Sequence, residues 1–380
     1  MSESTSFTYR DAHDRPVRRR ATRIAFFGFY GRRNFGDDLF CYLLQRLCEH
    51  VKTVSPMLVG ATRQRELRAA WRFRPFSRWI GRSDRLGTVA RFVTYCTALA
   101  RADVAAFGGG SLFGAHASLA FARLIVGWGA WMRKPVVALG VSVGPFSDRH
   151  RRAGFLGAVT KLAALAVRDD ASLVAVGDSV VTRPQQLGDI AYALPALYRP
   201  TVRGDGMRTL VIAVHLASYV EQVVAILRDA ERVNRFDRVR FVALDDACTG
   251  VTEAIRERCE PVGMAVDEVS YVDSIESVVD VLASASCIVT SKLHGAITGH
   301  VYGVPVLLFC YQRKCADFLD GRNLPGPRTS MPSPDECARV VHEISAGHHG
   351  GVRDASCEHA ESYRRAFCDF IRRAADLHRR

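Results

Sequence analysis

Apolar residues in this chain come in short unbroken runs, and glycine or charge follows each one. Arg23–Phe29, Val51–Val59, Asp103–Phe107, Pro135–Leu139 and Leu165–Val167 form a first series. Such runs lack the alternation of a half-exposed strand, so they predict strands buried on both faces, as in parallel sheets. Between them lie stretches with helical spacing. Leu39, Tyr42, Leu43, Leu44 and Leu47 predict a helix capped by Asp37 or Asp38. A second series opens at Leu210–His215 and continues with strands at Val239–Leu244, Ala265–Val269, Cys287–Thr290 and Val304–Phe309. Helices are expected at about Tyr219–Asn234, Val251–Glu260 and Ile275–Ala283. This alternation predicts an α/β protein of two Rossmann-like domains facing a cleft. Arg199–Arg208, with Pro200, Gly204 and Gly206, reads as the linker. The expected order is a disordered basic segment 1–22, α/β domains 23–200 and 208–332, and a helical extension 333–380. That extension holds one helical pattern near Tyr363–Ala375.

Composition narrows the class. With 380 residues, 48% hydrophobic and 24% charged, the chain can bury two sizeable cores. The longest apolar candidate, Leu119–Met132, is broken by Arg123, so no transmembrane helix is expected. Met1–Arg23 is polar and lacks the apolar stretch of a secretion signal. The 11 cysteines include no C-x-x-C pair, and no histidine cluster completes a site at Cys310 and Cys315. We therefore expect reduced, buried thiols in a cytoplasmic protein and no metal.

The formal charge of +13 comes almost entirely from arginine. It reflects either solvated faces or attraction to an anionic surface or substrate. No zinc finger, RNP-like strand or helix-turn-helix supports nucleic acid. Residues 63–82 interleave Trp71, Phe73, Phe76, Trp79 and Ile80 with arginines, and Pro75 rules out one continuous helix there. The segment reads either as a peripheral contact with the inner face of the cell membrane or as a basic loop packed on its own domain.

The candidate chemistry lies at the strand ends. The first run delivers Gly28–Asp38, which lacks both the dinucleotide-binding G-x-G-x-x-G and the P-loop GKS/GKT. Asn34 and Asp37 can nonetheless reach a ligand from it. Gly108, Gly109 and Gly110 allow close backbone approach, and Ser111 adds a donor. Arg168 and Asp189 follow later runs. After Cys287–Thr290 come Lys292, His294 and a helix starting at about Gly295, with Tyr311 and Lys314 beyond. A lysine, a histidine and a helix start together describe an anion pocket. His215 and His300 are read as structural.

These motifs together resemble the polysaccharide pyruvyl transferases over roughly residues 23 to 320. The family's G-x-x-N-x-G-D loop is matched by Gly31, Asn34, Gly36 and Asp37, and its G-G-G-S/T turn by Gly108–Ser111. Its G-x-G-P-like turn falls at Gly140–Pro145, and its R-D/E-x-x-S at Arg168–Ser172, with Asp189 after it. Its R-x-H-G is matched by Lys292–Gly295, with lysine for arginine, and its last element by Gly303, Pro305, Tyr311 and Lys314. The resemblance implies a GT-B-like fold, phosphoenolpyruvate as donor, and a pyruvyl ketal on a sugar of a cell-surface polysaccharide. The acceptor would be a lipid-linked or nucleotide-linked glycan.

That chemistry suits the residues. Lys292, Lys314 and Arg168 would meet phosphate and carboxylate, and His294 would act as general acid. Asp37 or Asp189 would be the base, and no cofactor is needed. The alternatives are a GT-B glycosyltransferase using a nucleotide-sugar and a non-catalytic scaffold in polysaccharide assembly.

Overall fold

The computed structural model describes residues 20–62, 64–82, 84–115, 117–177, 183–201, 206–259, 263–272, 274–346 and 355–379, the side chains of 355–358 excepted. Twelve strands form two sheets among them. The first holds β1 (Thr22–Phe27), β2 (Val54–Val59), β3 (Ala70–Trp71), β4 (Val104–Phe113), β5 (Val136–Val143), β6 (Ala164–Val167) and β7 (Gln185–Gln186). The second holds β8 (Thr209–Ala213), β9 (Arg238–Ala243), β10 (Ala265–Ser270), β11 (Cys287–Thr290) and β12 (Val306–Leu308). The spatial orders are β3-β2-β1-β4-β5-β6-β7 and β10-β9-β8-β11-β12. Every pairing is parallel, with Ile24 opposite Val104 and Ile288 opposite Val211. Chain order therefore reverses direction between β1 and β4, and again between β8 and β11. Open α/β sheets bind ligands beyond the strand ends at such a reversal.

The helices are α1 (Phe35–Glu49), α2 (Arg85–Arg101), α3 (Leu119–Trp131), α4 (Arg149–Val159), α5 (Asp170–Val176), α6 (Leu194–Leu197), α7 (Val220–Arg232), α8 (Asp246–Arg256), α9 (Ile275–Ser284), α10 (Leu293–Val301), α11 (Arg313–Gly321), α12 (Pro334–Ser345) and α13 (Ala355–Leu377). Many of their starts are capped by a side chain. Asp84, Ser118, Asp148, Asp169, Asp245, Ser274 and Ser333 each accept a backbone N–H of the first turn. Helices cover both faces of each sheet, which is why β5 is buried at every position. No described helix is long and apolar enough to cross a membrane.

α1 is buried on nearly all sides, because it lies between its own sheet and helices α9 and α10 of the other. One continuous apolar cluster runs from Phe26 and Leu44 to Val278, Ile297 and Leu308. α12 packs on α7, whereas α13 returns to α1, α6 and the first sheet. The extension beyond residue 333 thus divides between the two sheets.

Several boundaries differ from the sequence reading. The basic segment expected over 1–22 lies outside the described residues as far as 19, and Thr22 already belongs to β1. β4 does not stop at Phe107. It runs through Gly109 and Gly110 at φ 75° and 84°, and its register with β5 shifts between Gly110 and Phe113. Glycine here permits a bulge within a strand rather than a turn after it. β5 likewise continues through Gly140 (φ 63°) to Val143. α10 begins at Leu293 with Lys292 as its cap residue, two positions before the expected start.

Candidate active site

The loops after β1, β4, β6, β8, β9, β11 and β12 converge on the space between the sheets. Asn34 begins the junction. Its Oδ1 accepts the Gly36 N–H at 3.0 Å and so caps α1. Asn34 also forms a single antiparallel bridge to Asp245, and Phe35 N donates to Leu244 O at 2.9 Å. The start of α1 is thereby tied to the end of β9 in the other sheet.

His294 lies against this junction from the first turn of α10. A Cβ on Gly36 would stand 2.0 Å from its Nδ1, so only glycine lets the imidazole rest on α1. The ring meets Phe40 edge-on at 4.6 Å. Its Nε2 stands 3.7 Å from Asp189 Oδ2, an ion-pair distance too long for a hydrogen bond. Buried Nε2 has no hydrogen-bond partner among the described residues. Asp189 is 1% exposed. Its Oδ1 accepts the Ala191 N–H at 2.9 Å, while Oδ2 faces Arg168 Nη1 at 3.4 Å. Burial alone would raise this carboxyl. His294, Arg168 and the Ala191 N–H outweigh it and hold the group below the usual range. Asp189 is therefore an ionised anchor between a guanidinium and an imidazole.

Asp37 lies in the first turn of α1. Burial and the neighbouring Asp38 push its carboxyl up to about 7, against the pull of Arg32, Lys314 and Lys292. A Cβ on Gly110 would stand 3.9 Å from Asp37 Oδ1, and one on Gly109 would strike the Phe40 ring at 2.8 Å. The glycines of β4 thus form the wall opposite α1, with half-buried Ser111 beyond them.

The cations differ in their commitments. Lys292 Nζ pairs with Asp245 Oδ2, and Arg168 Nε pairs with Asp169 Oδ2 at 3.3 Å. Lys314 has no carboxylate within 4.0 Å among the described residues. Burial and the nearby Arg168 and Lys292 lower its ammonium, while Asp37 opposes them. Arg168, Asp189 and Lys314 border a cavity of roughly 270 Å³. No group of three His, Cys, Asp or Glu suited to a metal occurs among the described residues.

The family model for polysaccharide pyruvyl transferase matches residues 34–313. The chain belongs to the polysaccharide pyruvyl transferase family. That match spans all the residues above except Arg32, which precedes it, and Lys314, which follows it directly. No curated protein gives a sequence match. Among solved structures, the chain is similar to the UDP-GlcNAc 2-epimerase from Neisseria meningitidis bound to UDP-GlcNAc. The TM-score is 0.58 at 10% identity, over 93% of this chain and 99% of that one. The UDP-GlcNAc 2-epimerase from Methanocaldococcus jannaschii gives 0.58 at 9% identity, over 90% and 99%. At these identities the likeness concerns the fold alone, the two-domain GT-B type.

Within this family member, the sequence motifs assemble as follows. His294, Asp37, Asp189, Arg168 and Lys314 come together. Gly109 and Gly110 wall the space. Gly295 serves packing, since a Cβ there would stand 2.8 Å from Leu244. Tyr311 places its ring 5.0 Å from His215.

The sequence reading gives no role to two cleft residues, His215, which it takes as structural, and Asp245. His215 ends the run of β8, and its Nδ1 lies 2.6 Å from Ser291 Oγ. Burial, Lys292 and Lys314 push that imidazole down to about 4, although Asp245 opposes them. Asp245 both caps α8 and holds Lys292. The available signal was position: each stands at the carboxyl end of a parallel strand.

Proposed function

We propose that this protein transfers the pyruvyl unit of phosphoenolpyruvate to two hydroxyls of one sugar in a cell-surface polysaccharide precursor. The observation that carries the reading is the grouping of His294, Asp37 and unpaired Lys314 around the wall of Gly109 and Gly110. Family membership supports the transferase class. Phosphoenolpyruvate brings a phosphate and a carboxylate. Lys314, Arg168 and the first N–H groups of α10 suit these charges.

In this mechanism His294 gives a proton to the methylene carbon, and positive charge develops at the carbon bearing phosphate. A sugar hydroxyl bonds to that carbon and loses its proton to Asp37, whose carboxyl titrates near neutral pH. The bond to phosphate breaks, and phosphate departs with the bridging oxygen and the proton held by Asp37. The second hydroxyl then bonds to the same carbon and gives its proton to His294, which closes the ketal and restores both groups. One phosphoenolpyruvate and one diol thus give one ketal and one inorganic phosphate. Asp189 orients His294 rather than meeting the acceptor, because its oxygens are already engaged. Lys292 fixes the start of α10 against Asp245.

The acceptor is a sugar on a lipid or nucleotide carrier, used on the cytoplasmic side of the membrane. Peripheral contact is carried by α2. Its Leu86, Val89 and Phe92 are 53%, 50% and 49% exposed. Phe73, Phe76 and Trp79 run beside it with Arg74 and Arg78.

The fold likeness to enzymes named for UDP-GlcNAc keeps one second reading in view, a glycosyltransferase with a nucleotide-sugar donor. Incubation with phosphoenolpyruvate and a diphosphate-linked sugar separates the two. The proposal expects equimolar phosphate release and an acceptor mass increase of one pyruvyl ketal. Sugar transfer from a nucleotide-sugar, with phosphoenolpyruvate inert, would replace it.

A further inference from the structure

We infer that a second cationic cavity, built by the first sheet and α2, holds the phosphate linkage between the acceptor sugar and its carrier. The inference deepens the function proposed above and rests on it for the identity of the ligand. The cavity measures roughly 310 Å³ and lies between the loop after β1, the segment Ile80–Arg82 and one face of α2. Arg32, Arg82 and Arg91 line it together with Thr94 and Tyr95.

The walls are built rather than incidental. Arg91 Nη1 donates to Ile80 O at 2.9 Å and to Arg82 O at 2.6 Å, which fixes the loop on the helix. Arg82 is partly neutralised by Asp84 at 2.6 Å. Arg32 lies over the Phe29 ring at 4.7 Å and has no carboxylate within 4.0 Å among the described residues. Thr94 is 0% exposed, and its Oγ1 has no hydrogen-bond partner among the described residues. A buried hydroxyl without a partner carries an uncompensated cost unless something in the cavity meets it.

Place decides what the ligand is. The anion of the donor is served by Lys314 and Arg168, on the side of Asp37 facing the second sheet. The cavity of Arg32 opens from the loop that ends in Asn34, and Arg32 is near enough to lower the Asp37 carboxyl, but the cavity lies on the side facing α2. A second anion is therefore expected within reach of the base, and a sugar bound through a phosphate or diphosphate would supply it. Guanidinium groups suit such oxygens through paired N–H donors. Both nucleotide-linked and lipid-linked sugars carry this chemistry. The outward face of the same helix bears Leu86, Val89 and Phe92, where a lipid tail would continue.

Inorganic pyrophosphate is the probe, measured by calorimetry on the full chain. Arg32→Ala should weaken pyrophosphate at least about tenfold, the loss of one charge-assisted contact. Lys314→Ala should leave it within about twofold and weaken phosphoenolpyruvate instead. Thr94→Val removes the buried hydroxyl at nearly constant volume, so it should weaken pyrophosphate without lowering thermal stability. Equal sensitivity of pyrophosphate to Arg32→Ala and Lys314→Ala, or insensitivity to Arg32→Ala, overturns the site. Pyrophosphate binding that depends on Arg32 while phosphoenolpyruvate fails to bind would keep the site and sink the donor assignment. Uridine diphosphate binding more tightly than pyrophosphate identifies a nucleotide carrier. A short prenyl diphosphate binding more tightly, with the gain lost in Val89→Glu, identifies a lipid one.

Discussion

Gly36 and His294 are one unit, although 258 positions separate them in the chain. The missing Cβ at 36 is the space in which the imidazole stands. Gly36→Ala should therefore reduce kcat/KM about as much as His294→Ala, by at least about a hundredfold, the usual contribution of a positioned acid. Its thermal midpoint should fall modestly, because the Cβ displaces a packed ring at an overpacking cost of about 1–3 kcal/mol that the better helix propensity of alanine offsets only in part. Rates and melts on the two variants check this. Wild-type activity in Gly36→Ala would separate the ring from the chemistry. Asp37 sets the pH profile. Its carboxyl must be ionised to accept a proton, so kcat/KM should rise with pH through about 7. Asp38→Asn removes the nearest like charge and should move that limb to lower pH. Stability follows the opposite sign. A carboxyl raised from 3.8 keeps its proton longer when folded, so its contribution is fully present below pH 3.8 and lost as pH rises through about 7. Asp37→Asn should match the parent near pH 4 and exceed it at pH 8. A gain on the order of 1–2 kcal/mol is expected, allowing for partial solvent screening.

At the scale of elements, α10 and α11 divide the work of the two lysines. Lys292 pairs with Asp245 and so fastens the start of α10 to the start of α8. Lys314, on α11, has no such partner among the described residues. Lys292→Ala should cost stability, about 1–3 kcal/mol for a half-buried carboxylate left alone. Lys314→Ala should raise the KM for phosphoenolpyruvate at least about tenfold with an unchanged or higher thermal midpoint. The reverse assignment of effects would return the donor-binding role to Lys292. The contrast also marks the limit of reading the chain. Strands were legible because parallel-sheet segments are unbroken apolar runs, and Arg168 and His294 stand out as candidates because each follows such a run. Asp189 does not, since β7 before it is only Gln185–Gln186, and the family motif alone picks it out. The Lys292 partner was not, since nothing local links position 292 to position 245. The start of α10 was misplaced for a related reason. Lys292 makes no side-chain cap bond, so no Ser, Asp or Asn marked the boundary. The glycines of β4 read as a turn because left-handed φ suits both a turn and a bulge.

The whole molecule joins its two sheets firmly at one edge and leaves an apolar stripe free at another. α1 is enclosed between them, and Tyr42 Oη donates to Glu276 at 2.7 Å, Tyr198 Oη to Asp280 at 2.8 Å and Tyr302 Oη to the Tyr198 carbonyl at 2.9 Å. α13 closes over α1 and the first sheet. These contacts hold α1 and the segment after α6 against α9 and the end of α10. The remaining apolar exposure on α2 has no such internal partner. Leu86, Val89 and Phe92 lie about one turn apart along a single helix, and Arg78 covers the Trp79 ring at 4.5 Å beside them. Arginines around an aromatic and aliphatic face suit anionic headgroups, each cation near such a surface contributing about 1 kcal/mol. With a net charge of +13, orientation toward that surface is favoured before contact. Vesicles holding a third phosphatidylglycerol should therefore sediment the protein, and neutral phosphatidylcholine vesicles should not. Leu86→Glu with Phe92→Glu should abolish sedimentation while leaving the turnover of a water-soluble acceptor intact. His294→Ala should have the opposite pattern. Equal binding to neutral and anionic vesicles, or full binding by the double glutamate variant, would assign the stripe to another partner.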